Sequence, residues 1–355
     1  MKPEPSTHPP TRRELSPLSV IRPTRRELSP LSGIRQFALG LLRGSPRTVF
    51  LEVTLRCNAR CDFCRYWKEP VGAEISDFRP IVKHFSPVSV TLTGGEPLLR
   101  SDICHIVDDI KSSGDYFVSL ITNGIRLDMD RARQLRAAGL DGLSVSLNYV
   151  DEAQDREKHV PGLYKHLSEV LPHLAELRFP RLSLNTVLMA ENLDWIPAIV
   201  ARAREWKMGL TVSCYSAHKA DLYDPVIGES QTARLEQTVD MLTREAAGGC
   251  VQNSVWYLER IREFHRHKYV PGCTAGKRTI HVSPQGMVRP CPNLPEVSHW
   301  STYHTREAAS PRCGACWYAC RGEVQAPLTV ARIRGLARYV SARPAGAPAP
   351  EPAGR

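Results

Sequence analysis

Residues 57–64, Cys57-Asn58-Ala59-Arg60-Cys61-Asp62-Phe63-Cys64, carry three cysteines in the spacing C-x3-C-x2-C. They follow the apolar run TVFLEVT at 48–54, which predicts a buried β-strand, so the cysteines are expected in a loop at the carboxyl end of that strand. Three thiolates would leave one iron of a four-iron cluster open for a non-protein ligand. A structural zinc site takes four ligands, and three merely buried cysteines are the remaining alternative.

Strand-like and helix-like patterns alternate after residue 48. Strands are predicted at 48–54, 88–93, 116–122, 142–148, 182–187 and 209–214. Helices are predicted near 74–86, 101–113, 129–139, 162–178 and 191–206. This alternation predicts an α/β fold with a parallel sheet and right-handed crossovers, although the pattern alone does not separate an open sheet from a closed barrel.

Glycine and polar residues occupy the carboxyl ends of the predicted strands, the edge at which ligands bind in parallel sheets. The two glycines of the GGEP sequence after the second strand would let the backbone approach a ligand closely. Each polar side chain could instead be satisfied inside the core. The candidate residues are Gly94, Gly95, Glu96, Pro97 and Asn123 after the second and third strands, and Ser146, Asn148 and Asn185 on one face of the fourth and fifth strands.

Together, C-x3-C-x2-C with Phe63 before its third cysteine, GGEP one strand later and the TNG turn at 122–124 resemble the radical S-adenosylmethionine (SAM) superfamily. The resemblance covers roughly residues 48–215 and implies a partial (β/α)6, TIM-like barrel. It further implies that Cys57, Cys61 and Cys64 hold a [4Fe–4S] cluster whose open iron binds SAM, with Phe63 and these eight candidate residues as SAM contacts. Two positions depart from the family pattern, since many relatives have Asp at the position of Asn148 and a His at that of Gln154.

A second cysteine cluster lies in the C-terminal part of the chain. Cys273 is followed by twelve residues, Gly286, four residues and Cys291, with a predicted β-hairpin between the two cysteines. This resembles the SPASM/Twitch extension and implies one auxiliary [4Fe–4S] cluster, with Cys316 favoured over Cys320 as the fourth ligand beside Cys273, Cys291 and Cys313. A zinc ribbon or a buried helical stripe of cysteines are the alternatives.

Composition excludes several classes of protein. The chain of 355 residues is 42% hydrophobic and 24% charged, as in an ordinary globular protein, and has no apolar run long enough for a membrane span. Each terminal segment, 1–36 and 327–355, carries a formal charge of +4, which leaves only +2 of the total +10 between them and argues against nucleic-acid substrates. The N-terminus is polar and rich in proline, with no apolar region typical of a secretory signal, and so predicts a cytoplasmic location by default. Disulfides are rare in that compartment, and the odd number of cysteines, eleven, favours metal binding.

Five segments are expected. They are an N-terminal arm at 1–47 with a tandem 13-residue repeat, the barrel at 48–215, a helical bridge at 216–270, a small cysteine-rich module at 271–325, and a basic helix with a disordered tail at 326–355. A short helix is predicted at 36–47 and a basic amphipathic helix at 328–340.

The resemblance implies reductive cleavage of SAM to a 5′-deoxyadenosyl radical that abstracts hydrogen from a substrate, with flavodoxin or ferredoxin as the reductant. A small molecule or cofactor precursor is the favoured substrate, because the N-terminal arm is too short for a peptide-recognition domain. A maturase of ribosomally made peptides and a non-catalytic iron–sulfur or zinc scaffold are the alternatives. Cys214, at the end of the sixth predicted strand, is a candidate hydrogen donor to the substrate radical, or a packed thiol.

Overall fold

The computed structural model describes residues 30–217, 222–308, 310–311, 313–327 and 329. Nine of its strands form one sheet in the order β6-β5-β4-β3-β2-β1-β7-β8-β9. The strands are β1 (Thr48–Thr54), β2 (Ser89–Gly94), β3 (Phe117–Thr122), β4 (Gly142–Ser146), β5 (Arg181–Leu188), β6 (Gly209–Cys214), β7 (Thr279–Val282), β8 (Met287–Arg289) and β9 (Ser298–His299). The helices are α1 (Pro30–Arg43), α2 (Arg79–Phe85), α3 (Ile103–Ser113), α4 (Met129–Ala137), α5 (Ala153–Lys158), α6 (Leu163–Val170), α7 (Ile196–Glu205), α8 (Thr232–Ala247), α9 (Val255–His267) and α10 (Ala319–Gln325).

Strands β1 to β6 are parallel neighbours in chain order, as the sequence predicts. The sheet stays open, because β6 lies at one edge and β9 at the other. Right-handed crossovers between strands in sequential order place the connecting helices on one face of the sheet. The prediction of an α/β fold with a partial barrel is therefore confirmed, and the sheet of this barrel is open.

The two faces of the sheet differ in polarity. Val49, Leu51 and Val53 alternate along β1 and are fully buried toward the helices. The opposite face, called here the inner face, carries hydroxyl side chains that pair across neighbouring strands, as in the 2.7 Å contact between the hydroxyls of Ser144 and Ser183. A polar inner face that ends at the ligand-binding edge suits a polar ligand better than a packed apolar core.

The C-terminal hairpin extends the barrel sheet. Strand β7 pairs in parallel with β1, with Thr279 opposite Thr48, and β8 returns antiparallel to β7. The predicted hairpin is thus confirmed, and its first strand joins the main sheet beside the strand that precedes the cysteine loop. Pairing between segments more than two hundred residues apart leaves no local pattern in the sequence.

Prolines explain where the helices differ from the predicted bounds. The predicted helix at 162–178 is α-helical to Val170 and continues as a 3-10 helix over Leu171–Leu177, because Pro172 supplies no amide hydrogen for an α-helical bond. Helices α2 and α7 likewise begin late, each with a proline in its first turn.

At the N-terminus, α1 spans Pro30–Arg43 instead of the predicted 36–47. The repeat-containing segment before it and the basic helix expected at 328–340 lie outside the described residues, apart from position 329. Among the described helices, none combines the length and apolar character needed to cross a membrane.

Candidate active site

The cysteine loop leaves β1 and its backbone is bonded to the end of α5. The amide of Arg60 donates to the carbonyl of Lys158 at 3.1 Å, and that of Asp62 to the carbonyl of Glu157 at 3.3 Å. Cys64 closes a tight turn by donating its amide to the carbonyl of Cys61 at 3.1 Å. These bonds fix the loop between the first and fourth strands of the barrel.

The three thiols of this loop are free, partly buried and close to one another. Burial raises the pKa of Cys61 to about 11, with neighbouring Lys158 opposing the shift and Glu157, Cys64 and Cys57 adding to it. Burial likewise raises the pKa of the Cys57 thiol. Three thiols that would repel one another as thiolates in a half-buried loop are the donor set that an iron–sulfur cluster neutralises.

Within the described residues, no group of three or more His, Cys, Asp or Glu side chains is gathered around a single ion position. A structural zinc ion needs four ligands at one point, whereas the cysteines of a four-iron cluster each bind a different iron. The loop offers three cysteines, one fewer than a structural zinc site takes, whereas three cysteines can bind three irons of a four-iron cluster.

The glycines of GGEP bring the end of β2 against the backbone that leads into the cysteine loop. A Cβ atom on Gly94 would lie 2.1 Å from the carbonyl oxygen of Thr54, and one on Gly95 would lie 2.1 Å from that of Arg56. The amide of Gly95 donates to Thr54 at 2.7 Å and that of Glu96 to Arg56 at 2.8 Å. These close contacts to backbone carbonyls are ones that only glycine permits.

Glu96 is a buried link between this segment and the TNG turn. Its side chain is 1% exposed and accepts hydrogen bonds from the Leu98 amide at 3.0 Å, the Thr122 hydroxyl at 2.7 Å and the Asn123 amide at 2.7 Å. Burial raises the pKa of Glu96, and these hydrogen bonds oppose the shift. Both carboxylate oxygens of Glu96 accept hydrogen bonds from the protein, so Glu96 acts as a brace that holds the ends of β2 and β3 together. The adjacent Pro97 is the first residue of a buried 3-10 turn.

Asn123 connects this brace to the cysteine loop. Its side-chain amide donates to the Asn58 side chain at 2.9 Å and lies 3.9 Å from the sulfur of Cys57. The sequence placed Asn123 among the SAM contacts, and the structure brings it to the first cysteine of the loop.

Asn148 is committed to partners within the protein. Its amide nitrogen donates to Glu157 at 2.7 Å, and its oxygen accepts from the Val187 amide at 2.9 Å. Ser146 and Asn185, by contrast, are partly exposed on the inner face and lie opposite each other in the β4–β5 register. Of these predicted SAM contacts, Ser146 and Asn185 are partly exposed, whereas Asn148 is buried.

Lys158 is a site residue that the sequence analysis did not single out. Its ammonium group lies 3.0 Å from Glu157 and 4.7 Å from the centre of the Phe63 ring, and its side chain is 3% exposed. Burial disfavours its charge, but Cys61 and Glu157 outweigh burial and raise the pKa of Lys158. A lysine that stays charged inside the cysteine loop can neutralise thiolates or bind a carboxylate. The signal in the sequence was its position four residues after Gln154, one of the two positions that depart from the family pattern.

A cavity of about 380 Å³ lies beside the cysteine loop. Cys61 and Cys64 line it, and none of the strand-end residues discussed above does. Four potentially cationic side chains contribute to its wall. The one acidic lining residue, Asp62, is paired with His159, which is one of these four. The four are Arg60, Arg65, Lys68 and His159.

The C-terminal cysteines form a second cluster of thiols. Burial raises the pKa of Cys291 to about 12, and the nearby Cys316 and Cys273 add to the shift. Cys316 is 9% exposed, and the guanidinium of Arg321 lies 3.9 Å from its sulfur. Cys313 and Cys320 are partly exposed on the same chain segment as Cys316.

Trp317 anchors that segment to α9. It is fully buried, its ring stacks on Tyr257 with centroids 5.6 Å apart, and its indole nitrogen donates to the Tyr257 carbonyl at 3.0 Å. Cys273, Cys291 and Cys316 are near one another, and Trp317 attaches the segment that carries Cys316 to α9.

Cys214 ends β6 with its side chain toward the helices. It alternates with Leu210 and Val212, which are fully buried, and its sulfur lies 3.9 Å from the Tyr257 hydroxyl on α9. Burial raises the pKa of Cys214 to about 12. This geometry favours the packed-thiol alternative over a hydrogen donor facing the inner surface.

Comparison with known proteins agrees with this arrangement. Residues 51–203 match the family model described as the radical SAM superfamily. A probable GTP 3′,8-cyclase of Methanococcus maripaludis is 30% identical over 262 residues, covering 69% of this chain and 84% of the relative. Another such cyclase aligns over 168 residues, or 55% of its length. A PqqA peptide cyclase of Xanthomonas campestris pv. campestris is 30% identical over 173 residues, 45% of this chain and 44% of the relative.

Solved structures show the same fold at low sequence identity. Streptococcus suis SuiB bound to S-adenosylmethionine superposes with a TM-score of 0.59 at 16% identity, covering 77% of this chain and 68% of SuiB. The enzyme anSMEcpe, with AdoMet and a peptide bound, superposes with a TM-score of 0.56 at 15% identity, covering 74% of this chain and 79% of the neighbour.

The fold, the cysteine loop and these similarities define a SAM-dependent iron–sulfur enzyme. The chain belongs to the radical SAM superfamily, whose members use a [4Fe–4S] cluster and SAM. The cysteine-rich C-terminal hairpin is consistent with a SPASM/Twitch extension of that family.

Proposed function

We propose that this enzyme cleaves SAM reductively at a cluster held by Cys57, Cys61 and Cys64 and uses the resulting radical on a small-molecule substrate. The observation that carries the proposal is the backbone junction between the cysteine loop and GGEP. The two hydrogen bonds at 2.7 and 2.8 Å, and the close contacts that forbid a Cβ on either glycine, hold the cysteine loop against the ligand-binding edge of the sheet. When bound, the cluster supplies the electron that splits SAM into methionine and a 5′-deoxyadenosyl radical.

The protein's own residues would divide into supports and contacts. Glu96 and Asn148 act as supports, because their polar atoms are taken up by neighbouring strands and by α5. Ser146 and Asn185 on the inner face are placed to hydrogen-bond a ligand, and Lys158 supplies a positive charge beside the cysteines. A buried ammonium group of this kind would bind a carboxylate such as that of SAM. Phe63, Gly94, Gly95, Pro97 and Asn123 would complete the SAM site.

We also propose one auxiliary [4Fe–4S] cluster in the C-terminal module. Cys273, Cys291 and Cys316 supply three neighbouring thiols, and Cys313 or Cys320 supplies the fourth. Arg321 beside the Cys316 sulfur would offset the negative charge of such a cluster. Zinc in place of iron is the alternative that metal analysis decides.

A small molecule is the favoured substrate. The probable GTP 3′,8-cyclase of Methanococcus maripaludis aligns over 84% of its length, whereas the PqqA peptide cyclase aligns over 44%. GTP is therefore the first substrate to test. The similarity to SuiB and anSMEcpe keeps a ribosomally made peptide as the second candidate substrate class, although at 16% and 15% identity those neighbours establish the fold alone.

The reductant is proposed to be an acidic one-electron carrier such as flavodoxin or ferredoxin. The cavity beside Cys61 and Cys64 has a basic wall, and none of the strand residues proposed to contact SAM lines it. Opposite charge speeds the encounter of such partners and makes its rate depend on salt. We further propose a cytoplasmic location, which suits eleven free cysteines.

The test is anaerobic reconstitution with iron and sulfide, followed by assay of 5′-deoxyadenosine in the presence of SAM and dithionite. The wild-type protein should form 5′-deoxyadenosine, and the variant with Cys57, Cys61 and Cys64 replaced by alanine should form none. Cys250→Ala is the matched control, because it removes a partly buried thiol outside both clusters. Continued SAM cleavage by the triple variant would disprove the assignment.

A further inference from the structure

A second cavity, called here the basal pocket, lies at the end of the sheet opposite to the active site. It has a volume of about 260 Å³ and opens where β1, β2 and β7 begin, below the end of α1. Its wall contains four cationic side chains and two hydroxyl groups, contributed by Arg47, Lys277, Arg278, Arg306, Ser45 and Thr305. None of the residues that line it is acidic.

Two of the cations have no counter-charge within the described part of the chain. The side chains of Lys277 and Arg278 make no hydrogen bond or ion pair there, and both are exposed. Arg306 is held by backbone carbonyls alone, those of Arg43 at 2.5 Å and Leu42 at 2.7 Å, and these contacts leave its positive charge uncompensated. Like charges gathered around one cavity repel each other, and a bound anion would relieve that repulsion.

The wall of the pocket is fixed by backbone hydrogen bonds. The Arg47 amide donates to the Arg278 carbonyl at 2.8 Å, which holds the starts of β1 and β7 together. The Thr305 hydroxyl donates to the Gly44 carbonyl at 2.9 Å and attaches the loop that carries Arg306. Because Arg306 also occupies the last carbonyls of α1, the negative end of that helix is covered by donors instead of facing the cavity.

We propose that the basal pocket binds the phosphate group of a small molecule. Arginine presents several N–H donors in a planar fork that matches phosphate oxygens, and lysine adds a point charge. The volume accommodates a phosphate with a small organic group, below the range of roughly 300–1,000 Å³ typical for larger ligands. Strand β1, seven residues long, separates the pocket from the cysteine loop by about 20 Å, so the pocket is a site distinct from the active site.

The test is isothermal titration calorimetry of the reconstituted holoenzyme at fixed ionic strength with inorganic phosphate, pyrophosphate and glycerol 3-phosphate. The double variant Lys277→Ala/Arg278→Ala removes the two uncompensated charges without touching the core. The matched control, Lys165→Ala/Lys207→Ala, removes the same charge from exposed positions on α6 and after α7. We expect saturable binding to wild type and control, and a Kd raised about tenfold or more in the pocket variant, equivalent to roughly 1.4 kcal/mol or more.

Each outcome decides the matter. Tighter binding of glycerol 3-phosphate than of inorganic phosphate would identify a phosphate ester as the ligand, and the reverse would identify free phosphate or diphosphate. Absence of saturable binding with all three probes would overturn the proposal. Equal weakening in the pocket variant and the control would also overturn it, because it would show a general charge effect. SAM cleavage serves as the folding check and is expected to be unchanged in both variants.

Discussion

Replacing Gly95 by alanine tests whether the close approach between GGEP and the cysteine loop is what organises the site. The new Cβ would lie 2.1 Å from the Arg56 carbonyl oxygen and 2.6 Å from the Leu55 carbonyl oxygen. Both neighbours are backbone atoms, so neither can move aside as the end of a flexible side chain could. The two segments must therefore separate.

The expected cost follows from the contacts that would be lost. Overpacking costs about 1–3 kcal/mol, and each of the two backbone hydrogen bonds at the junction contributes about 0.5–1.5 kcal/mol. The free energy of unfolding should fall by about 2–6 kcal/mol, against a total of about 5–15 kcal/mol for a typical protein. We expect a folded but weakened Gly95→Ala protein whose cysteine loop is displaced.

Urea unfolding, iron content and 5′-deoxyadenosine yield measure this effect. Gly248→Ala is the matched control, because Gly248 has a φ of −76° and the nearest atom to its new Cβ would be the Glu245 carbonyl oxygen at 3.6 Å. The control should stay within about 0.5 kcal/mol of wild type. Wild-type stability and a full iron load in Gly95→Ala would refute the account of the junction.

Three further predictions concern individual side chains. In Cys214→Ser, the yields of 5′-deoxyadenosine and of product, measured by mass spectrometry, should equal those of wild type, because the thiol faces Tyr257 on α9. Formation of a different product would support Cys214 as a hydrogen donor. Lys158→Met should weaken SAM binding about tenfold or more, as measured by equilibrium dialysis, because a hydrogen bond to a charged group contributes about 1.5–3 kcal/mol. Unchanged affinity for SAM would show that Lys158 does not contact it. Cys273→Ala should lower the iron content by about four atoms per chain, the complement of one [4Fe–4S] cluster, whereas a loss of one zinc atom would show a zinc site instead.

Local patterns allowed much of the fold to be predicted. Six strands followed from runs of β-branched and aliphatic residues, and the cysteine spacing located the loop after β1. Alternation along β6 placed Cys214 on the same strand face as Leu210 and Val212. Whether that face points to the inner surface or to the helices is decided by the packing of α9, which the sequence does not show. The sequence could therefore state the two alternatives for Cys214 without choosing between them.

Contacts between residues far apart in the chain could not be predicted from the sequence. The pairing of β7 with β1 joins positions 279 and 48. The side chain of Asn148 bonds to Glu157 and to the Val187 amide, and no spacing rule connects these positions. Lys158 was missed for the same reason, because its closeness to Cys61 arises from the docking of the cysteine loop on α5.

The most direct test of the central claim is electron paramagnetic resonance of a variant in which Cys273, Cys291, Cys313, Cys316 and Cys320 are replaced by alanine. After anaerobic reconstitution and reduction with dithionite, this variant should hold about four irons and show the signal of a single reduced cluster. Addition of SAM should change that signal, because one iron is left open by the three cysteines at 57, 61 and 64. A cluster signal that SAM leaves unchanged would contradict the account.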